Sequence, residues 1–114
     1  MKQLIFLIII FLAASTLSFG QSDIKTETFK VEGNCTMCKK RIEDAAYIKG
    51  VKRADWNKET QELTVIYRSS KTTAEAIHRH IAKAGHSTSK VAAAEEDYEK
   101  LPNCCHYKTN SCEH

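Results

Sequence analysis

Gly33-Asn34-Cys35-Thr36-Met37-Cys38-Lys39-Lys40-Arg41 stands between a β-prone run and a helical one, and its two cysteines lie three positions apart. That spacing places Cys35 on a loop and Cys38 in a first helical turn, so the loop can bend until both sulfurs aim at one point. Free amides at a helix start favour negative charge, which predicts lowered thiol pKa values and available thiolate near neutral pH. Thiolate is the form that binds metal, and a convergent pair suits a soft ion. Lys39, Lys40 and Arg41 follow at once, although cations in a first turn oppose the helix dipole. Three readings of this basic run stand: it offsets the charge of a dithiolate site, it faces an acidic partner domain, or it is a solvated patch.

Outward from this loop the pattern alternates between strand and helix. Ile24 to Val31 is β-prone, with Phe29 and Val31 on one face. Met37, Cys38, Ile42, Ala45 and Ala46 recur at helical spacings, predicting a helix over 36–48 that stops at Gly50. Val51 to Trp56 reads as a second strand, Asn57 to Gln61 as a polar turn, and Leu63, Val65 and Tyr67 as a third strand. Thr72 and Glu75 match a capping box for a second helix, which carries Ala74, Ile77, Ile81 and Ala84 on one face and ends at Gly85. His86 to Val91 reads as a short fourth strand. The order βαββαβ is an α+β, ferredoxin-like arrangement, with a core of Phe29, Val31, Ile42, Val51, Leu63, Val65, Ile77 and Ile81.

The run Val31-Glu32-Gly33-Asn34-Cys35-Thr36-Met37-Cys38, followed by Ile42-Glu43 and Gly50-Val51, resembles the heavy-metal-associated domain family over about Thr26 to Val91. That family includes copper chaperones, modules of copper-pumping ATPases and a periplasmic mercury-binding protein. Members usually read Gly-Met-x-Cys-x-x-Cys. Here Gly33 is two residues before Cys35, and the methionine has moved between the cysteines as Met37. The resemblance implies an antiparallel sheet with both helices on one face and a metal held by Cys35 and Cys38. It favours Cu(I), with Hg(II) or Zn(II) as alternatives, and partners that donate or accept metal, such as a copper transporter or efflux component. In the family's arrangement the fourth strand begins near the cysteine loop, so His86 is a third ligand, a hydrogen-bond partner of a thiolate, or an exposed loop histidine. His78 and His80, two positions apart on the second helix, read as surface residues. Met37 reads as packing.

Residues 1–20 carry Lys2, the apolar run Leu4 to Ala14 and the small residues Ser18 and Gly20 before a plausible cut, the three regions of a secretory leader. The run is short and polar-diluted for a membrane span, so no stable insertion is expected after cleavage. The expected divisions are the leader, a heavy-metal-associated domain over 21–91 and a tail over 92–114, in a periplasmic or secreted protein. Lys and Arg total 17 against 14 Asp and Glu. That balance argues against a nucleic-acid binder, which usually shows a strongly basic face.

The tail begins with good helix composition over 92–101 and is closed by Pro102. Asn103-Cys104-Cys105-His106 follows, and Cys112 and His114 lie close to the end. A ten-residue helix of roughly 15 Å can return the chain to the cysteine loop. The tail then adds thiolates from Cys104, Cys105 or Cys112 to the main site, builds a separate soft-metal or zinc site with the histidines, or forms a disulfide through Cys112. Thioredoxin-like oxidoreductases also place Cys-x-x-Cys between strand and helix. However, residues 21–114 are short for that fold, no Trp precedes Cys35, and the single proline is Pro102. The expected function is a non-enzymatic soft-metal carrier or buffer.

Overall fold

A computed structural model describes residues 23–109, so the expected leader, Cys112 and His114 lie outside the described residues. The chain runs β1 (Ile24–Lys30), α1 (Thr36–Ala46), β2 (Val51–Trp56), β3 (Glu62–Arg68), α2 (Ala74–Lys83), α3 (Glu95–Glu99) and a 3-10 turn at Asn103–Cys105. β3 is central, antiparallel to both neighbours, in the order β1-β3-β2. Leu63, Val65 and Tyr67 alternate inward from β3 and share one buried cluster with Cys38, Ile42 and Ala46 of α1 and Ile77 and Ile81 of α2. This is the expected α+β, ferredoxin-like plan. All of the expected core is buried except Phe29, which is partly covered.

The fourth strand is reduced to a single antiparallel bridge, Val31 to Thr88. Two backbone bonds flank it, Glu32 N–H to the Ser87 carbonyl at 2.9 Å and Ser89 N–H to the Lys30 carbonyl at 3.0 Å. Pairing stops there because Thr88 folds the chain on itself: its hydroxyl oxygen accepts from the Lys90 and Val91 amides. α1 ends two residues earlier than expected, where Tyr47 and Ile48 bond back to Asp44 and Ala46 and tighten the last turn. The cap of α2 is Thr73, whose hydroxyl accepts from the Ala76 amide at 3.1 Å, and not Thr72. His78 is buried, contrary to its surface reading. Its ring lies 3.9 Å from that of Phe29, and Nδ1 bonds the Thr88 hydroxyl.

The tail returns across the end of α2. The helix expected over 92–101 is shorter because the Ser87 hydroxyl holds the Ala93 amide and Ala94 is extended, so helical turns begin at Glu95. Gly85 makes the docking possible. Its φ is +102°, and a Cβ there would stand 2.8 Å from the Asp97 carbonyl and 2.9 Å from Leu101. The Tyr107 hydroxyl donates to the Gly85 carbonyl at 2.8 Å and accepts from the Ser87 amide at 3.2 Å. Tyr98 packs edge-on against Tyr107, and Leu101 joins the core.

Two consequences are measurable. Gly85→Ala meets both a left-handed backbone and occupied space, and should cost roughly 1–3 kcal/mol in urea unfolding, with the tail loosened before the sheet. His86 is fully buried, its Nδ1 donating to the Glu32 carbonyl at 2.8 Å, and burial pushes its pKa down to about 4. Because the folded pKa lies below the unfolded one, this group's share of stability is complete above about pH 6.5 and is lost as pH falls towards 4. Unfolding free energies measured from pH 7 to 4 should fall by an amount on the order of 3 kcal/mol from this group, and His86→Phe should lack that part of the slope.

Candidate metal centre

Three elements bring sulfur to one place. Cys35 is the N-cap of α1 in an extended conformation, and Cys38 lies in the first turn on the face that also buries Ile42 and Ala46. Cys105 comes from the 3-10 turn of the tail. All three are fully buried, and their Sγ atoms lie within 4.8 Å of one another. The Cys35 and Cys38 sulfurs are 3.4 Å apart and are not joined by a disulfide.

The loop that presents Cys35 is clamped from several sides. A Cβ at Gly33 would stand 3.0 Å from Trp56 and 3.1 Å from both Cys38 and Ile42, so only a bare Cα lets the chain pass this close to the helix. Trp56 donates its indole N–H to the Val31 carbonyl at 3.0 Å, and Gln61, itself at φ +60° in the hairpin turn, donates its side-chain amide to the Gly33 carbonyl. Glu32 is fixed by His86. Thus β2, the hairpin turn and the segment after α2 all hold the loop.

Burial, rather than the helix dipole, sets the state of Cys38 and Cys105. Desolvation raises the Cys38 pKa above the ordinary thiol value, although a backbone hydrogen bond at Asn34 works the other way. The protonated thiol also donates to the Asn34 side-chain oxygen at 3.1 Å. The lowered pKa expected from the helix start is therefore corrected for Cys38. Cys105 is raised further, by burial first and then by its contact with Cys38 and the charge of both partner thiolates. Without metal the cluster favours protonated sulfur, which avoids gathering buried like charges.

The basic run has local partners. Lys39 contacts Glu43 at 2.5 Å, Asp55 at 2.9 Å and the Trp56 carbonyl at 2.8 Å, and Lys40 pairs with Asp44 at 3.0 Å. Arg41 donates to the Ala84 carbonyl at 3.3 Å. The Lys39 contacts with Asp55 and Trp56 brace α1 against β2 and Arg41 ties it to the end of α2, whereas Lys40–Asp44 is an exposed pair within α1.

The remaining candidates sort by position. His86 is buried rather than exposed and bonds the Glu32 carbonyl, not a sulfur; with Nδ1 protonated, its Nε2 has no hydrogen-bond partner. Cys104 stays at the surface side of the cluster. Its carbonyl accepts from the Cys35 thiol at 3.7 Å, and its Sγ lies 4.0 Å from that of Cys105 and 3.5 Å from the Met37 sulfur. Met37 is 49% exposed, so its packing role is also corrected. His106 stacks on Tyr98 and does not join the thiol group. Reading the sequence alone left Cys104, Cys105 and Cys112 equivalent; the neighbouring pair is separated only by which way the 3-10 turn faces.

Three sulfurs so placed suit a soft ion. At a metal–sulfur distance of about 2.3 Å, sulfurs on opposite sides of an ion stand about 4.6 Å apart, and three in a plane about 4.0 Å apart. With 3.4 Å between Cys35 and Cys38 and all three sulfurs within 4.8 Å, the cluster is of the size three ligands around one ion need, whereas the first pair alone would have to spread further to hold an ion in line.

No curated protein matches the chain. Among solved structures it is similar to the CopZ metallochaperone, at 33% identity and a TM-score of 0.54, covering 56% of this chain and 98% of that one. It is also similar to oxidized MerP from Ralstonia metallidurans CH34, at 28% identity and a TM-score of 0.55, covering 58% of this chain and 94% of that one. The water-soluble region of the P-type ATPase CopA from Bacillus subtilis is 32% identical with a TM-score of 0.55, over 60% of this chain and 47% of that one. The heavy-metal-associated domain matches residues 28–87, so with its loop, its paired cysteines and its fold the chain belongs to the heavy-metal-associated domain family.

Proposed function

We propose that the protein is an exported carrier or buffer of Cu(I), holding the ion through Cys35, Cys38 and Cys105. The observation that carries this reading is the convergence of three buried sulfurs from a loop, a helix and a tail. Soft thiolates select soft ions, and a planar three-sulfur site suits Cu(I) better than the four ligands usual for structural zinc. Hg(II) shares the preference for thiolate and is the competing cargo. Similarity to a metallochaperone over nearly its whole length, and to the soluble region of a metal-pumping ATPase, supports a carrier whose partner is a transporter or efflux component. Residues 1–20 support a periplasmic or secreted location.

Transfer proceeds by ligand exchange. As the ion binds, the thiols give their protons to solvent. A partner thiolate then displaces one sulfur at a time, so the ion is never free. Cys105 is suited to be displaced first, since it sits on a short turn rather than on the helix. Binding needs no turnover, so an insulin-reduction assay should stay blank.

The test is anaerobic competition for Cu(I) against bathocuproine disulfonate. Cys35→Ser and Cys38→Ser should each abolish tight binding. Cys105→Ser should weaken it by at least about tenfold, or roughly 1.4 kcal/mol. Equal affinity in Cys105→Ser would remove the tail from the ligand set, and a reduced wild-type protein that takes up no Cu(I) would end the carrier reading.

A further inference from the structure

All three sulfurs of the buried cluster are closed off from solvent, yet cargo must reach them. One further pair of sulfurs touches the cluster from outside. Met37, between the two loop cysteines in sequence, exposes about half its surface, and its sulfur lies 3.5 Å from Cys104 Sγ. Cys104 is partly exposed, and its Sγ lies 4.0 Å from Cys105 Sγ, itself within 4.8 Å of the two remaining thiols. The sulfurs therefore form an unbroken series from the surface inward: Met37, Cys104, Cys105, then Cys35 and Cys38.

We propose that Met37 and Cys104 are a transfer port, a transient two-sulfur site through which a soft monovalent ion passes between a partner's ligands and the buried cluster. The inference rests on the carrier reading above and adds the route. Two sulfurs that share an ion at about 2.3 Å each stand no more than about 4.6 Å apart. The steps from Met37 to Cys104 and from Cys104 to Cys105 both fall below that limit, so the ion can be held by two consecutive sulfurs as far as Cys105, whose sulfur lies within 4.8 Å of those of Cys35 and Cys38. In each step the new metal–sulfur bonds form before the old one breaks. On arrival, Cys104 loses its proton to water as it binds the ion, Met37 lends a neutral lone pair, and the donor's ligand leaves. Cys105 then loses its proton and replaces Met37. Finally Cys35 and Cys38 each lose a proton to water as they bind, and Cys104 lets go, recovering a proton from solvent. No electron changes hands.

The ligand types fit a passing role. A thioether holds Cu(I) without adding charge, and a two-sulfur surface site competes poorly with three buried sulfurs, so the ion moves on. Neither residue contributes to the buried cluster, which predicts a split between rate and equilibrium. Cu(I)-loaded wild type, Met37→Leu, Cys104→Ser and the double variant would be mixed anaerobically with bathocuproine disulfonate in a stopped-flow instrument, with stoichiometry and affinity measured in parallel. The expected result is one tightly held Cu(I) per chain in every variant and affinities within about threefold. Transfer should slow roughly tenfold in Cys104→Ser and less in Met37→Leu. Unchanged rates would overturn the port. So would a wild-type stoichiometry of two that falls to one in the variants, since the pair would then be a storage site. Wild type that binds no Cu(I) at all would instead refute the carrier reading, and the port with it. Met37→Leu keeps an exposed apolar side chain of similar size, so its rate is readable even if Cys104→Ser perturbs the tail.

Discussion

The contact between the tail and Gly85 decides what kind of centre this protein has. A loop and a helix supply two sulfurs, as the family's motif requires, but the third depends on a chain segment more than 60 residues away in sequence returning to the same end of the sheet. It returns because Gly85 has no side chain and a left-handed backbone, which opens space for Asp97 and Leu101, and because Tyr107 bonds the Gly85 carbonyl and the Ser87 amide together. Tyr107 also stacks on His86, which holds the Glu32 carbonyl at the base of the cysteine loop. Position of the tail and position of the loop are thus linked through two rings and a glycine.

Burial gives this arrangement its chemical character. Three thiols in a dry place resist becoming three thiolates, since each negative charge raises the cost of the next. An incoming cation relieves that repulsion, so proton loss and metal uptake occur together. Lys39 and Lys40 do little to offset the charge, being committed to Glu43, Asp55 and Asp44. The compensating charge is left to any cation bound there.

Much of the fold was legible because periodicity and punctuation agreed. Leu63, Val65 and Tyr67 alternate, Cys38, Ile42 and Ala46 repeat at helical spacing, and Gly50 and Gly85 mark the helix ends where positive φ is needed. The paired cysteines pointed to a site, while the run of Cys104 and Cys105 left open whether the tail joined it, built a separate site or formed a disulfide. Other features depended on non-local contacts that no local pattern encodes. His78 is covered by Phe29, the fourth strand is cut short by the Thr88 hydroxyl, and Met37 is left at the surface by the same turn that buries Cys38. The dipole argument for a low thiol pKa was sound for an exposed helix start and failed for Cys38 because this one is desolvated.

The claim at the centre of this account is that the tail completes the metal site. X-ray absorption on anaerobically Cu(I)-loaded protein reads the number of bound sulfurs directly. Three sulfurs at a common distance in the wild type, falling to two with a shorter bond in Cys105→Ser, is the predicted result. Two sulfurs in both proteins, with identical spectra, would contradict it.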